Sequence, residues 1–132
     1  MNTNKEWLDP LFLEDFLNEE EKSIKINTNK FCKEILLPDV VKNNRNHFFD
    51  KNIYKEFGSM GFLGSNIKGY GSSEINKVSY GLIAYEIESI DSSYRSAISV
   101  QSSLVCHPID LFGSINQKEQ YLPDLIKGNI IG

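Results

Sequence analysis

The chain has 132 residues, 40% hydrophobic and 24% charged, with a formal net charge of -4 and a pI near 5.2. That length suits a single domain with one core, and the acidic balance excludes a broad basic surface for tracking nucleic-acid phosphates. Runs such as Ile35-Leu36-Leu37 fall far short of the roughly 20 apolar residues that span a bilayer, and Met1 to Glu6 show no signal or transit pattern. A cytoplasmic chain without a membrane span is therefore expected.

Trp7, Phe12 and Phe16 read as apolar anchors that tie the amino-terminal segment to the body of the protein. Asn18 followed by Glu21 forms a capping pattern, and Ile24, Phe31 and Ile35, with Cys32 and Leu36 on an adjoining row, predict a helix over 19–36. Pro38 blocks simple continuation, so 39–42 is expected to be a short second turn or a kinked extension that frays in the polar run 43–46. Asp50 is expected to cap a third helix carrying Ile53, Phe57 and Met60 and ended by Gly61.

The stretch from Gly64 to Ser73 has no hydrophobic period and reads as a structured surface loop. Its Gly69-Tyr70-Gly71 lacks the later glycine of a dinucleotide fingerprint and follows no strand pattern, which removes a nucleotide-binding fold. A long helix is expected over 75–91, its wide apolar face made of Val78, Leu82 and Tyr85 and, on the next row, Ile83, Ile87 and Ile90. Ser92-Ser93 interrupts it, and a helix of small residues, Ala97, Ser99, Ser102 and Ser103, follows over 94–106 and permits close approach of a neighbour.

Pro108 ends or bends that helix, and 109–112 form a short turn. Ser114 with Gln117 caps the last helix, whose apolar face is Tyr121, Leu122, Leu125 and Ile126; Pro123 is expected to kink or restart it, and Gly128 to close it. With no strand alternation and no repeat, the fold class is all-α, a helical bundle.

Few side chains stand out for chemistry. His47 sits in a polar stretch without ligand spacing, and His107 beside Cys106 makes no metal site, so structural roles are expected for both histidines. Cys32 and Cys106 are too few and too widely spaced for a disulfide framework and read as reduced core thiols, with no thiol catalysis. Glu88 lies seven residues before Arg95 and Asp91 four before it, spacings that let all three share a helix face as an ion-pair group. An ordinary surface pair of this kind contributes about 0.2–1 kcal/mol.

The run from Val78 to Val105, including Tyr80-Gly81-Leu82-Ile83-Ala84 and Asp91-Ser92-Ser93-Tyr94-Arg95-Ser96-Ala97, resembles acyl-CoA dehydrogenases of the glutaryl-CoA type. Shorter matches lie at Asp9-Pro10-Leu11, Glu19-Glu20-Glu21, Met60-Gly61-Phe62-Leu63-Gly64, Ile67-Lys68-Gly69-Tyr70-Gly71 and Gln120-Tyr121-Leu122-Pro123. The resemblance implies that residues 1–132 are the amino-terminal helical domain of a protein whose family continues with a β domain and a carboxy-terminal helical domain. It implies that Arg95 meets the distal carboxylate of the glutaryl group, that Ser96 and Ser99 stand beside it, and that Glu88 orients it. The whole enzyme would use FAD, convert glutaryl-CoA to crotonyl-CoA with loss of carbon dioxide, pass electrons to an electron-transfer flavoprotein and assemble as a homotetramer. The catalytic base and most of the flavin site are expected outside this chain, which is not expected to retain FAD alone. Two further readings stand beside this one: a non-catalytic helical interaction module, and an acyl-CoA dehydrogenase domain for another substrate.

Overall fold

A computed structural model describes residues 9–132, and within them the chain is helical with no strand. Asp9 opens the described segment by accepting the amides of Leu13 at 2.9 Å and Glu14 at 2.8 Å, which shapes a 3-10 turn over Leu13–Phe16. Phe12 and Phe16 do not anchor this segment: they are 54% and 83% exposed. A Lys25–Glu14 ion pair ties the segment to the body of the protein, and Leu17 is half-buried. Trp7 lies outside the described residues.

Helix α1 spans Glu19–Phe31 and starts on the expected capping box: Asn18 Oδ1 accepts the Glu21 amide at 2.9 Å, and Glu21 Oε2 accepts the Asn18 amide at 2.9 Å. It does not stop at Leu36. A π-helical stretch at Cys32–Leu36 carries the helix directly into α2, Leu37–Arg45, with the Leu37 amide donating to the Cys32 carbonyl five residues back. Pro38 has no amide proton and its ring crowds the carbonyl four residues earlier; the widened turn just ahead of it lets the chain run on.

The same device recurs in the second half. Helix α3 is Ile53–Ser59, α4 is Lys77–Glu88 and α5 is Ser92–Ser99; a π-helical stretch at Val100–Cys106 joins α5 to α6, His107–Phe112, just ahead of Pro108. Here the His107 amide reaches the Ser102 carbonyl, again five residues back. Helix α7, Ile115–Ile126, starts on the Ser114–Gln117 capping box and holds Pro123 inside without a restart. Asp50 is not a helix cap: its Oδ1 accepts the Asn52 amide at 2.9 Å in a turn that precedes α3.

Helix α1 packs along α4, and their facing residues build the main core with α3 and α5. Phe31, Phe57, Phe62, Ile83, Ile87 and Ile98 are buried there, and the Phe31 and Phe62 rings meet edge-on with centroids 5.5 Å apart. A second cluster of Ile67, Cys106, Leu122, Leu125 and Ile126 joins the loop after α3 to α7. Of the apolar residues expected on helix faces, Ile35, Met60, Val78, Tyr85 and Tyr121 are exposed, because only one of the adjoining rows on each helix meets a partner.

Two glycines permit the closest backbone approach. A Cβ on Gly58 would stand 2.2 Å from the Lys127 carbonyl oxygen, and one on Gly128 2.0 Å from that of Tyr54, so α3 lies directly against the end of α7. The small residues after Arg95 serve the same end: Ser102 Oγ, fully inside, accepts the Gly64 amide at 3.0 Å and fixes the 64–73 loop against the π-helical stretch.

Candidate functional site

The break between α4 and α5 creates an arrangement of charged side chains that faces an open groove. Glu88 is the last residue of α4, Ser89 to Asp91 leave helical geometry, and α5 begins at Ser92 with Asp91 as its N-cap. Asp91 is consumed locally, because its Oδ1 accepts the Ser93 amide at 2.7 Å and also bonds the Ser93 hydroxyl. It therefore makes no ion pair with Arg95, although their spacing allowed one.

Glu88 does pair with Arg95. Its Oε2 accepts Arg95 Nε at 2.7 Å, while its Oε1 accepts the Ser92 hydroxyl at 2.5 Å. The carboxylate is held below its ordinary proton affinity, first by the Ser92 hydroxyl and then by Arg95, with nearby Asp91 acting weakly in the opposite direction.

On its other side Arg95 donates from Nη1 to Ser99 Oγ at 3.1 Å. Ser99 spends its own proton on the Arg95 carbonyl at 3.0 Å, so it faces the guanidinium as an acceptor rather than a spare donor. Ser96 offers its carbonyl to the same hydroxyl at 3.4 Å, and its side chain makes no described hydrogen bond here. Glu88, Arg95 and Ser99 are thus brought together, with Ser96 alongside through its backbone. Nη2 has no hydrogen-bond partner among the described residues.

A groove of about 480 Å³ opens beside this array, lined by Gly81, Ala84, Tyr85, Glu88, Ser89 and Arg95. Gly81 and Ala84 give it a small apolar floor, and its charged end is the Glu88–Arg95 pair. That combination suits an acyl chain ending in an anion, since a planar guanidinium can donate parallel charge-assisted bonds to a carboxylate.

The acyl-CoA dehydrogenase N-terminal domain family matches residues 18–129. The chain belongs to that family. A glutaryl-CoA dehydrogenase from Mycobacterium smegmatis, solved in complex with FADH2, is 37% identical and superposes with a TM-score of 0.92 over 95% of this chain and 32% of its own. The mitochondrial isovaleryl-CoA dehydrogenase of Bos taurus is 31% identical over 119 residues, 88% of this chain and 28% of that protein. A chain in the structure of the electron transferring flavoprotein of Acidaminococcus fermentans is 29% identical with a TM-score of 0.81, over 88% of this chain and 31% of that one. This chain therefore spans about a third of the length of these relatives, among which are both a glutaryl-CoA and an isovaleryl-CoA dehydrogenase.

In the glycine-rich loop the Gly69 amide donates to Glu74 Oε1 at 2.9 Å. His47 and His107 are exposed, and no group of three or more metal-ligating side chains exists among the described residues. Cys106 is fully buried and burial pushes its thiol up to about 11, which leaves it protonated and inert at neutral pH. No helix among the described residues is long and apolar enough to cross a membrane.

Sequence reasoning missed Ser92 as part of the array and read it only as a helix interruption. The signal was its i,i+4 spacing from Glu88, which brings the hydroxyl to the carboxylate across the helix break.

Proposed function

We propose that this chain is the amino-terminal helical domain of an FAD-dependent acyl-CoA dehydrogenase of the glutaryl-CoA type, and that Arg95 receives the distal carboxylate of the substrate. The observation that carries this reading is the fixed guanidinium: Glu88 and Ser99 hold Nε and Nη1, while Nη2, beside the groove, has no hydrogen-bond partner among the described residues. Those two contacts leave the Nη1–Nη2 edge for a carboxylate, with an aliphatic chain lying over Gly81 and Ala84.

In the complete enzyme a carboxylate base, outside this chain, would take the α proton of the glutaryl thioester. The flavin, when bound, supplies the acceptor for the β hydride. Arg95 breaks no bond. It orients the dicarboxylyl chain, and it keeps the distal carboxylate paired until that group leaves as carbon dioxide and crotonyl-CoA forms. Electrons would pass to an electron-transfer flavoprotein, and the assembly would be a homotetramer. The exposed Leu104, Phe112 and Ile115, at 70%, 85% and 70%, support a domain whose apolar surface is covered by the remainder of such an enzyme.

The test is substrate selectivity in the flavoenzyme that carries this domain. Arg95→Ala should lower kcat/KM for glutaryl-CoA about a hundredfold more than for butyryl-CoA, because one substrate loses a charge-assisted partner and the other does not. Equal losses on both substrates would remove the assignment.

A further inference from the structure

We propose that Ser92 is a positioning residue for Arg95, acting through Glu88 across the break between α4 and α5. Its importance for substrate rests on the reading of Arg95 given above; the positional link itself does not.

Glu88 ends α4, and no backbone helix beyond it restrains its side chain. A carboxylate held by Arg95 alone could rotate about its terminal torsion while keeping one bond. Here both oxygens are engaged from opposite partners, Ser92 Oγ at 2.5 Å on Oε1 and Arg95 Nε at 2.7 Å on Oε2, which fixes the plane of the group and with it the direction of the guanidinium. The chain of contacts runs on from Arg95 Nη1 to Ser99, so the fork is set from both ends.

Ser92 is free for this task because it does not cap its own helix. Asp91 does that, through the Ser93 amide, and the only described hydrogen bond of the Ser92 hydroxyl is the one to Glu88. Removing the hydroxyl therefore leaves the start of α5 intact.

The charged and titratable groups facing Glu88 are Arg95 and Asp91 on the far side of the break, and Tyr85 on its own helix at the groove wall. Arg95 and Ser92 favour the ionised carboxylate and Asp91 opposes it. Without Ser92, the balance moves toward protonation on the acid side, and a protonated Glu88 no longer holds Nε as an ion.

The experiment compares Ser92→Ala and Ser92→Thr with the parent. In this chain, carbon NMR should show the Glu88 carboxyl titrating at higher pH in Ser92→Ala, and the Arg95 Nε–H should exchange about two- to tenfold faster. Ser92→Thr keeps a hydroxyl and should restore both. In the flavoenzyme, the acidic limb of kcat/KM should move upward for glutaryl-CoA and stay in place for butyryl-CoA. An unmoved Glu88 titration with unchanged Arg95 exchange in Ser92→Ala overturns the inference, as does a glutaryl-CoA limb that stays in place although Arg95→Ala harms glutaryl-CoA selectively. Failure of the substrate assignment looks different: Arg95→Ala then harms both substrates equally while the Ser92 effect on Glu88 in NMR stands.

Discussion

Glu21 and Asn76 join the first turns of the two helices that form the centre of the bundle. Glu21 is 7% exposed; one of its oxygens accepts the Asn18 amide at the start of α1 and the other accepts Asn76 Nδ2 at 3.0 Å. Asn76 completes the link by capping α4, its Oδ1 accepting the Ser79 amide at 2.8 Å. Two helix caps thus share one buried carboxylate, that of a residue 55 positions before Asn76, and the register of α1 on α4, which places Glu88 at the far end, starts from it.

Breaking that shared cap should cost more than a surface cap does. Glu21→Ala leaves the Asn18 amide and Asn76 Nδ2 without their shared carboxylate, and the expected loss is about 1–3 kcal/mol in urea unfolding. Asn76→Ala removes the other half. Because both variants lose the same bond, the double variant should be less destabilised than the sum by at least about 0.5 kcal/mol. Strict additivity would show that the two caps are independent.

Gln101 gives a second prediction. It is 1% exposed within the π-helical stretch; its Nε2 donates to the carbonyls of Leu125 at 3.1 Å and Ile130 at 3.0 Å, and its Oε1 accepts the Gly132 amide at 3.2 Å. One amide thus fastens the segment after α7 alongside the helix that bears Arg95 and Ser99. Gln101→Ala should lower stability by about 1–3 kcal/mol and release this segment, read as loss of protection at the Gly132 amide in hydrogen exchange. Gln101→Glu keeps the acceptor but not the donors, so Gly132 should stay protected while stability still falls. A Gly132 amide as protected in Gln101→Ala as in the parent would contradict the clamp.

The features legible in the sequence are those in which a side chain acts on its near neighbours. Asn18 with Glu21, Ser114 with Gln117, and the glycines that end α3 and α7 read correctly because cap chemistry spans only a few residues. Glu88 and Arg95 were legible as a pair at two-turn spacing, and the family resemblance pointed to the same residues. Asp91 misled, because an acid just before a helix can cap it as readily as pair four residues on, and sequence spacing does not decide between them. The two π-helical stretches were hidden for a different reason: a proline reads as a stop, and nothing local records that the preceding turn can widen. The outward placement of Val78 and Tyr85 depended on which row of α4 meets α1, a tertiary choice.

The two cysteines allow a prediction with a definite pH sign. Burial, with the Glu86 carboxylate adding to it, pushes the Cys32 thiol up to about 11, and burial alone does the same for Cys106; their relative exposures are 1% and 0%. At neutral pH both should resist a disulfide reagent in the native protein and react promptly in denaturant. For a thiol, a raised folded value favours the neutral form, so its contribution to stability is fully present below the ordinary value of 9.0 and is lost as pH rises toward about 11. The urea midpoint should therefore fall between about pH 8 and about pH 10.5, and Cys32→Ala with Cys106→Ala should flatten that part of the fall, leaving the share from half-buried Tyr54, whose hydroxyl is also pushed up by burial. Native thiols that react as fast as denatured ones, or an unchanged slope in the double variant, would show that these sites open to solvent far more readily than their packing indicates.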